Sequence, residues 1–414
     1  MRPKESQQST QYHYGKHMRL VIIFHRIGPY HHARLQATNR ISPITVVELS
    51  AKDETYAWAK VKDYGEYEKH TVFQSADSQT IATRIVYNEV KRKLDAIAPD
   101  VVAIPGFYDN GALSAIRWCR ENNIPCVLMS DSAEHDFPRH FWKEWIKKQL
   151  VACFSAALVG GQPQRDYVWR LGISADRIFT GYDAVDNDYF ASRADEVRQK
   201  KNKTRQQLGL QKPFILTIAR FIAEKNLSGA MQAYAQYVQC RGSSAWNWVI
   251  CGDGPLKDEL VDLRQKLSLN SHVNFPGFVQ YENLPLYYGL AQVFWLPSVK
   301  DTWGLVVNEA MACGLPVLVS RSCGCCEDLV HEEENGFSFD PRDIDGMGAK
   351  LLKISDGDCD LVHMGRKSRS IISHWGCDTF AQNLWKAAEV AYRTAVLRNN
   401  LTASAILKGL TFGR

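Results

Sequence analysis

Two doubly wound α/β domains, each built on a mostly parallel sheet, are what this sequence predicts. Three observations carry the prediction. At 414 residues the chain is longer than one hydrophobic core usually organises. Short apolar runs alternate with segments of helical spacing, the pattern of strand-helix-strand units. A charge-rich, weakly apolar stretch at 193–207 interrupts the alternation, which then starts again.

In the first half, strands are expected at 20–24, 44–49, 101–105, 126–130 and 156–159, each an apolar run of buried-strand length. Helical spacing covers 80–97 and 111–121. In the second half, strands are expected at 214–218, 248–251, 273–275, 293–296 and 317–320. Helices fit 227–239, 257–267, 305–313 and 344–354, and 375–397 reads as one long amphipathic helix. The expected organisation is an extension at 1–17, a first domain at 18–192, a linker at 193–211, a second domain at 212–373, and a closing helix with tail at 374–414. A ligand of such sheets binds at the carboxyl ends of the strands, here in the cleft between the domains.

Composition bounds the function. Hydrophobic residues at 45% and charged residues at 23% are those of an ordinary globular protein. A net charge of +5 suits anionic substrates or a membrane surface and is too weak to indicate nucleic acid. No apolar run approaches the ~20 residues that span a bilayer. The polar start lacks a signal core, so a cytoplasmic protein is expected, with peripheral contact to a membrane's inner face left open. Of the 11 cysteines, Cys126, Cys251 and Cys313 sit inside apolar runs and read as core residues. Cys323-Gly324-Cys325-Cys326 is open to a metal or redox reading, but no partner set at zinc spacing follows it, and no metal is expected.

The segment richest in chemistry runs from Ser298 to Pro316 and holds two carboxylates eight positions apart, Asp301 and Glu309. Gly304 lies between them, before a helix whose unpaired first N–H groups make the turn a ready anion site. One acid is thus left in the loop and the other carried about two turns into the helix. Alone, the segment also admits the plain reading of a strand-turn-helix unit with two solvated acids. Arg220 and Lys225 fall on the loop after another strand, where a guanidinium and an ammonium can hold a diphosphate or merely be solvated. Gly252-Asp253-Gly254-Pro255 is a turn that lets backbone approach a ligand, or a plain strand-to-helix turn.

Taken in order, Arg220 with Lys225, then Gly252 to Pro255, Phe275-Pro276-Gly277-Phe278-Val279, Leu284-Pro285-Leu286-Tyr287-Tyr288 and the Asp301–Glu309 segment resemble the donor domain of family 4 glycosyltransferases. The resemblance is close over 214–340 and looser in the first domain, where Gly181 to Phe190 is similar to the family's end-of-domain turn. It implies two facing Rossmann-like domains, the GT-B architecture, with an interdomain cleft and a closing C-terminal helix. It also implies metal-independent, anomer-retaining transfer from a nucleoside-diphosphate sugar. No cofactor is expected beyond that donor, for which a UDP-sugar comes first.

By that resemblance, Arg220 and Lys225 would hold the diphosphate, helped by the Leu305 and Val306 N–H groups. Glu309 would bind the ribose, Val279 would meet the base, and Gly28 would let the first domain's loop approach. Asp301 takes the place of a glutamate, about 1.5 Å shorter in reach. The family's histidine after the fourth strand is missing: Asp131 stands nearest its place, and His135 could supply an imidazole. The implied acceptor is a carbohydrate, glycolipid or small molecule, in polysaccharide or glycolipid assembly. An epimerase or phosphorylase on the same fold, or a silent nucleotide-sugar-binding protein, is the alternative.

Three further segments are ambiguous. Asp186-Asn187-Asp188 mimics a metal-binding pair in a turn. His31-His32 opens a helix beside the cleft, for acceptor contact or simple surface. The basic, aromatic stretch 139–148 fits either a membrane interface or core packing through Trp142, Ile146 and Leu150.

Overall fold

The computed structural model describes residues 18–51, 65–136, 140–394 and 400–412. The extension expected at 1–17 and Arg139 fall outside them. The first domain is built from β1 (Leu20–Phe24), β2 (Thr45–Ser50), β3 (Glu68–Phe73), β4 (Val101–Pro105), β5 (Cys126–Ser130), β6 (Ala156–Val159) and β7 (Ile178–Thr180). These form one parallel sheet in the order β3-β2-β1-β4-β5-β6-β7. The second domain holds β8 (Phe214–Ile218), β9 (Asn247–Cys251), β10 (Val273–Gly277), β11 (Val293–Leu296), β12 (Val317–Ser320) and β13 (Gly336–Phe339). Its sheet is also parallel, ordered β10-β9-β8-β11-β12-β13. In both sheets the order reverses beside the first strand, the place where open α/β sheets hold ligands.

Three strands had no counterpart in the sequence reading, for separate reasons. β3 is a partly exposed edge strand with charges at its start and no apolar run. β7 has only 3 residues, and β13 opens on glycine. The central strands are buried on both faces, so their apolar runs mark them.

The stretch read as a linker is helical. Asn187–Gln199 and Lys201–Leu208 are helices that carry their charges outward. Phe190, Ala194 and Val197 turn inward, at i, i+4 and i+7, into the core around β8 and β11. A Cβ on Gly289, in the Leu284–Leu290 helix, would lie 2.8 Å from Val197, so glycine there allows the close packing. Asp186 caps the first of these helices by accepting from the Tyr189 N–H at 2.9 Å, which explains the metal-like Asp-Asn-Asp spacing as a capping motif.

The long helix expected at 375–397 is shorter, Cys377–Arg393, and a second helix, Leu401–Phe412, follows it. Both pack on the first domain. Phe380, Leu384 and Trp385 enter the core with Leu20, Ile22 and Phe24, and the Trp385 indole donates to the Thr38 carbonyl at 3.1 Å. Ala403 and Leu407 join the core on the sheet's other face, and Arg117 donates to the Thr411 hydroxyl at 2.9 Å. The chain therefore crosses between domains twice. The two crossings touch: Val185 pairs with Gly376 in a β-bridge, and Asn187 donates to the Ile372 carbonyl at 2.8 Å.

Candidate functional site

The carboxyl ends of the second sheet supply most of the cleft. After β8, Ala219 and Phe221 bond back to the β9 turn, through Ala219 N–H to Cys251 O at 3.1 Å and Phe221 N–H to Asp253 O at 2.8 Å. A Cβ on Gly252 would lie 1.8 Å from the Ala219 carbonyl oxygen, so this approach requires glycine. Arg220 is exposed on that loop, and Lys225 ends the short turn Ala223–Lys225. Val279, past the β10 end, is half-buried and packs against the core of the β11 turn.

Asp301 meets Lys225 directly: Lys225 Nζ lies 2.5 Å from Asp301 Oδ2, both side chains largely shielded from water. The aspartate is held from behind by its own carbonyl, which accepts from the Gly324 N–H at 2.9 Å. Gly304 then takes the left-handed conformation, φ +98, and opens the helix Leu305–Ala312. Among the described residues no acceptor meets the N–H groups of Leu305 and Val306, so the helix start offers free donors.

Glu309 lies deeper than the sequence suggested. It is fully buried, with Tyr30 of the first domain donating to Oε1 at 2.5 Å and Tyr288 to Oε2 at 2.8 Å. Burial pushes its carboxyl up to about 7, against the pull of the two tyrosine bonds. Both oxygens that the resemblance gave to a ribose are occupied by hydroxyls in this arrangement.

The first domain closes over the same turn. Thr302 donates to Asp131 Oδ2 at 2.8 Å, bringing the end of β5 against the Asp301 loop. Burial holds the Asp131 carboxyl above its ordinary range. Trp303 is buried, with its indole donating to Asn308 Oδ1 at 2.9 Å, and Asn308 donates to the Asp183 carbonyl at 2.9 Å. A Cβ on Gly160 would lie 2.8 Å from the Trp303 ring, so this glycine lets the second domain's indole seat against the first.

Asp183 and Arg34 form the buried floor. Arg34 donates through Nε to the Ala184 carbonyl at 2.8 Å, and its guanidinium lies over the Tyr182 and Phe380 rings. Its Nη2 stands 4.0 Å from Asp183 Oδ1. Burial first, and Asp131 second, drive the Asp183 carboxyl far above its usual range. Sequence reasoning missed Tyr30, Arg34 and Asp183. The signal for the first two was their spacing: Tyr30 and Arg34 share one face of the helix Pro29–Ile41.

Two histidine readings change. His31 is not simple surface: its Nδ1 accepts from the Gly28 N–H at 3.2 Å, securing the helix start that Gly28 caps. Its imidazole is held neutral, its pKa lowered to about 3 by desolvation first and by the nearby Arg34 charge second. His32 joins the Tyr67 hydroxyl at 3.0 Å. His135 stands half-exposed, its Nε2 3.8 Å from Asp136 Oδ1, while Asp131 makes the contact across the cleft. Cys323, Cys325 and Cys326 are buried thiols held protonated by desolvation. Among the described residues no group of three or more His, Cys, Asp or Glu is placed to hold a metal.

Residues 199–370, which include every second-domain group above, match the family described as glycosyl transferases group 1. The second domain is thus similar to the group 1 glycosyltransferases. It is 28% identical to the sulfoquinovosyl transferase SQD2 of Arabidopsis thaliana over 80% of this chain and 60% of that one. It is 28% identical to a GDP-mannose-dependent alpha-(1-6)-phosphatidylinositol monomannoside mannosyltransferase of Mycobacterium tuberculosis over 48% of this chain and 52% of that one. The chain thus spans 60% or less of the length of these two relatives. In fold it is similar to HepE of Anabaena, solved in complex with UDP, with a TM-score of 0.69 and 17% identity over 90% of this chain and all of that one. That likeness is one of architecture: two facing Rossmann-like domains of the GT-B type, closed by a C-terminal helix.

Proposed function

We propose that this protein is a group 1 glycosyltransferase that moves a sugar from a nucleoside-diphosphate sugar to an acceptor hydroxyl, with retention at the anomeric carbon and without a metal, in polysaccharide or glycolipid assembly. The observation that carries the reading is the meeting of Lys225 and Asp301 at 2.5 Å, beside the free N–H groups of Leu305 and Val306. A cation and a helix start converging on one point suit a leaving diphosphate, and a carboxylate beside them suits the sugar it carries.

In this reading Lys225 and Arg220 neutralise the diphosphate as its bond to the anomeric carbon breaks. The acceptor oxygen attacks from the same face, and its proton passes to the departing phosphate oxygen. Asp301 holds the donor sugar from the second domain, and Asp131, tied to the Asp301 loop through Thr302, faces it from the first. Asp131 and His135 are the first-domain groups assigned to the reacting end. Gly28, Gly252, Val279, Gly304 and Glu309 complete the donor site, with a UDP-sugar as the preferred donor.

The test is release of nucleoside diphosphate from UDP-, GDP- and ADP-sugars in excess EDTA, with the product's anomeric configuration read by NMR. Release from one donor, unaffected by EDTA and giving a retained product, is expected. Loss of activity that magnesium restores would remove the metal-independent mechanism. Thermal stabilisation by a donor with no release under any condition would favour a silent binding protein.

A further inference from the structure

The helix Phe141–Val151, on the first domain, carries a broad apolar arc that is buried along one edge and exposed along the other. Leu150 is buried and Ile146 packs against the core beneath it. Toward the exposed edge Phe141 is 89% exposed, Trp142 51% and Trp145 50%. Trp145 lies between the other two around the helix, at i+4 from Phe141 and i+3 from Trp142, so the three exposed rings join into one outward patch spread over about 100° of the helix surface. The core packing expected of Trp142 is therefore not what this residue does, while Ile146 and Leu150 do pack inward.

Isolated exposed apolar residues are common, but three aromatic rings on one face of one turn are not. Charge surrounds the patch. Lys143 and Lys148 are exposed, and the Lys143 ammonium sits 5.3 Å from the Trp142 ring centre. Lys147 lies lower, paired with Glu144 at 3.0 Å and with the Tyr167 hydroxyl at 3.1 Å. The C-terminal helix Leu401–Phe412 begins beside this one. Asn400 donates to Gln149 Oε1 at 3.1 Å, and the adjacent Leu401 is 83% exposed.

We infer that the Phe141–Val151 helix is an interfacial anchor that docks the first domain on a bilayer carrying anionic lipid headgroups. Tryptophan suits that depth, since its ring is apolar and its indole N–H reaches the wet layer. The lysines supply the complementary charge for anionic headgroups. At 11 residues the helix rises about 16 Å, too short to cross the ~30 Å hydrocarbon core, so it lies on the surface. No helix among the described residues is long and apolar enough to span. The anchor lies on the segment that follows Asp131, so docking brings the cleft's first-domain side close to the bilayer. Docking does not depend on the transfer reading. Its consequence, a lipid-borne acceptor, rests on that reading.

The test is sedimentation of the full chain with vesicles of phosphatidylcholine alone and with added phosphatidylglycerol, at low and high salt. Binding to the anionic vesicles is expected, weakening with salt. The triple variant Phe141→Ser, Trp142→Ser, Trp145→Ser should bind at least about tenfold more weakly with an unchanged unfolding midpoint, because these rings are exposed. The double variant Lys143→Glu, Lys148→Glu should lose the preference for phosphatidylglycerol while folding normally. No binding by the parent chain, or equal binding by the triple variant, would overturn the proposal. So would a mass doubling in light scattering that the triple variant abolishes without any vesicle binding, which would make the patch an interface between copies. Donor release, measured without vesicles, reports on the transfer reading separately and should be the same in the triple variant.

Discussion

Replacing Glu309 by glutamine should change how stability depends on pH, and by an amount the structure sets. The carboxyl is fully buried between Tyr30 and Tyr288, and burial lifts it from an ordinary 4.5 to about 7. A rise of that size corresponds to about 3 kcal/mol between protonated and ionised forms. The folded value exceeds the unfolded one, so folding favours the proton. The contribution is complete below about pH 4.5 and is lost as pH climbs through about 7. Glutamine keeps the shape, can accept from one tyrosine and donate to the other, and does not titrate. Glu309→Gln should therefore match the parent chain near pH 4.5 and exceed it above pH 7, by up to about 3 kcal/mol. Denaturant unfolding of both proteins across that range measures the difference directly. Asp131, Asp136 and Asp183 also stand above their ordinary range, but they are present in both chains and cancel in the comparison. A parent-minus-variant difference that stays flat with pH would refute the buried, titrating carboxyl.

Two further outcomes concern the donor. Lys225→Ala should lower transfer by about two orders of magnitude or more while the unfolding midpoint stays close to the parent's, and near-normal turnover would remove the diphosphate assignment. Tyr30→Phe removes the first-domain hydroxyl from Glu309 Oε1. If a ribose competes for that oxygen, the variant should bind donor roughly tenfold more tightly by titration calorimetry, a gain of about 1.4 kcal/mol. Unchanged or weaker binding would show that no such competition exists.

The central strands were legible because strands buried on both faces must be apolar throughout, as at Ile215–Leu216 and Phe294–Leu296. Edge strand β3, with Glu68 and Lys69 at its start, gave no such signal. The helices at 187–208 were hidden by their charges, since only Phe190, Ala194 and Val197 face inward and a short amphipathic stripe is easily mistaken for a linker. Of the site, the order of turns in the second domain was readable because each turn's residues are local in sequence. The pairing of Lys225 with Asp301 and of Tyr30 with Glu309 was not, because the partners are 76 and 279 positions apart. Local spacing carries no information about which loops a tertiary cleft brings together. Asp301 was singled out as a shortened glutamate, and the contact it makes is with the lysine already assigned to the same ligand.

The paired crossings between the domains bear on how the cleft can move. A single tether lets two bodies swing and twist in any direction. Here two tethers run side by side, joined by the Val185–Gly376 bridge and the bond from Asn187 to Ile372. Joined in this way they act as the pin of a door: rotation about their common line is soft, while sliding and twisting are resisted. Turning about that line alone is enough to separate or join Thr302 and Asp131, and Trp303 and Gly160, which meet in the arrangement described here. Alignment of the two halves is thus built into the covalent path of the chain.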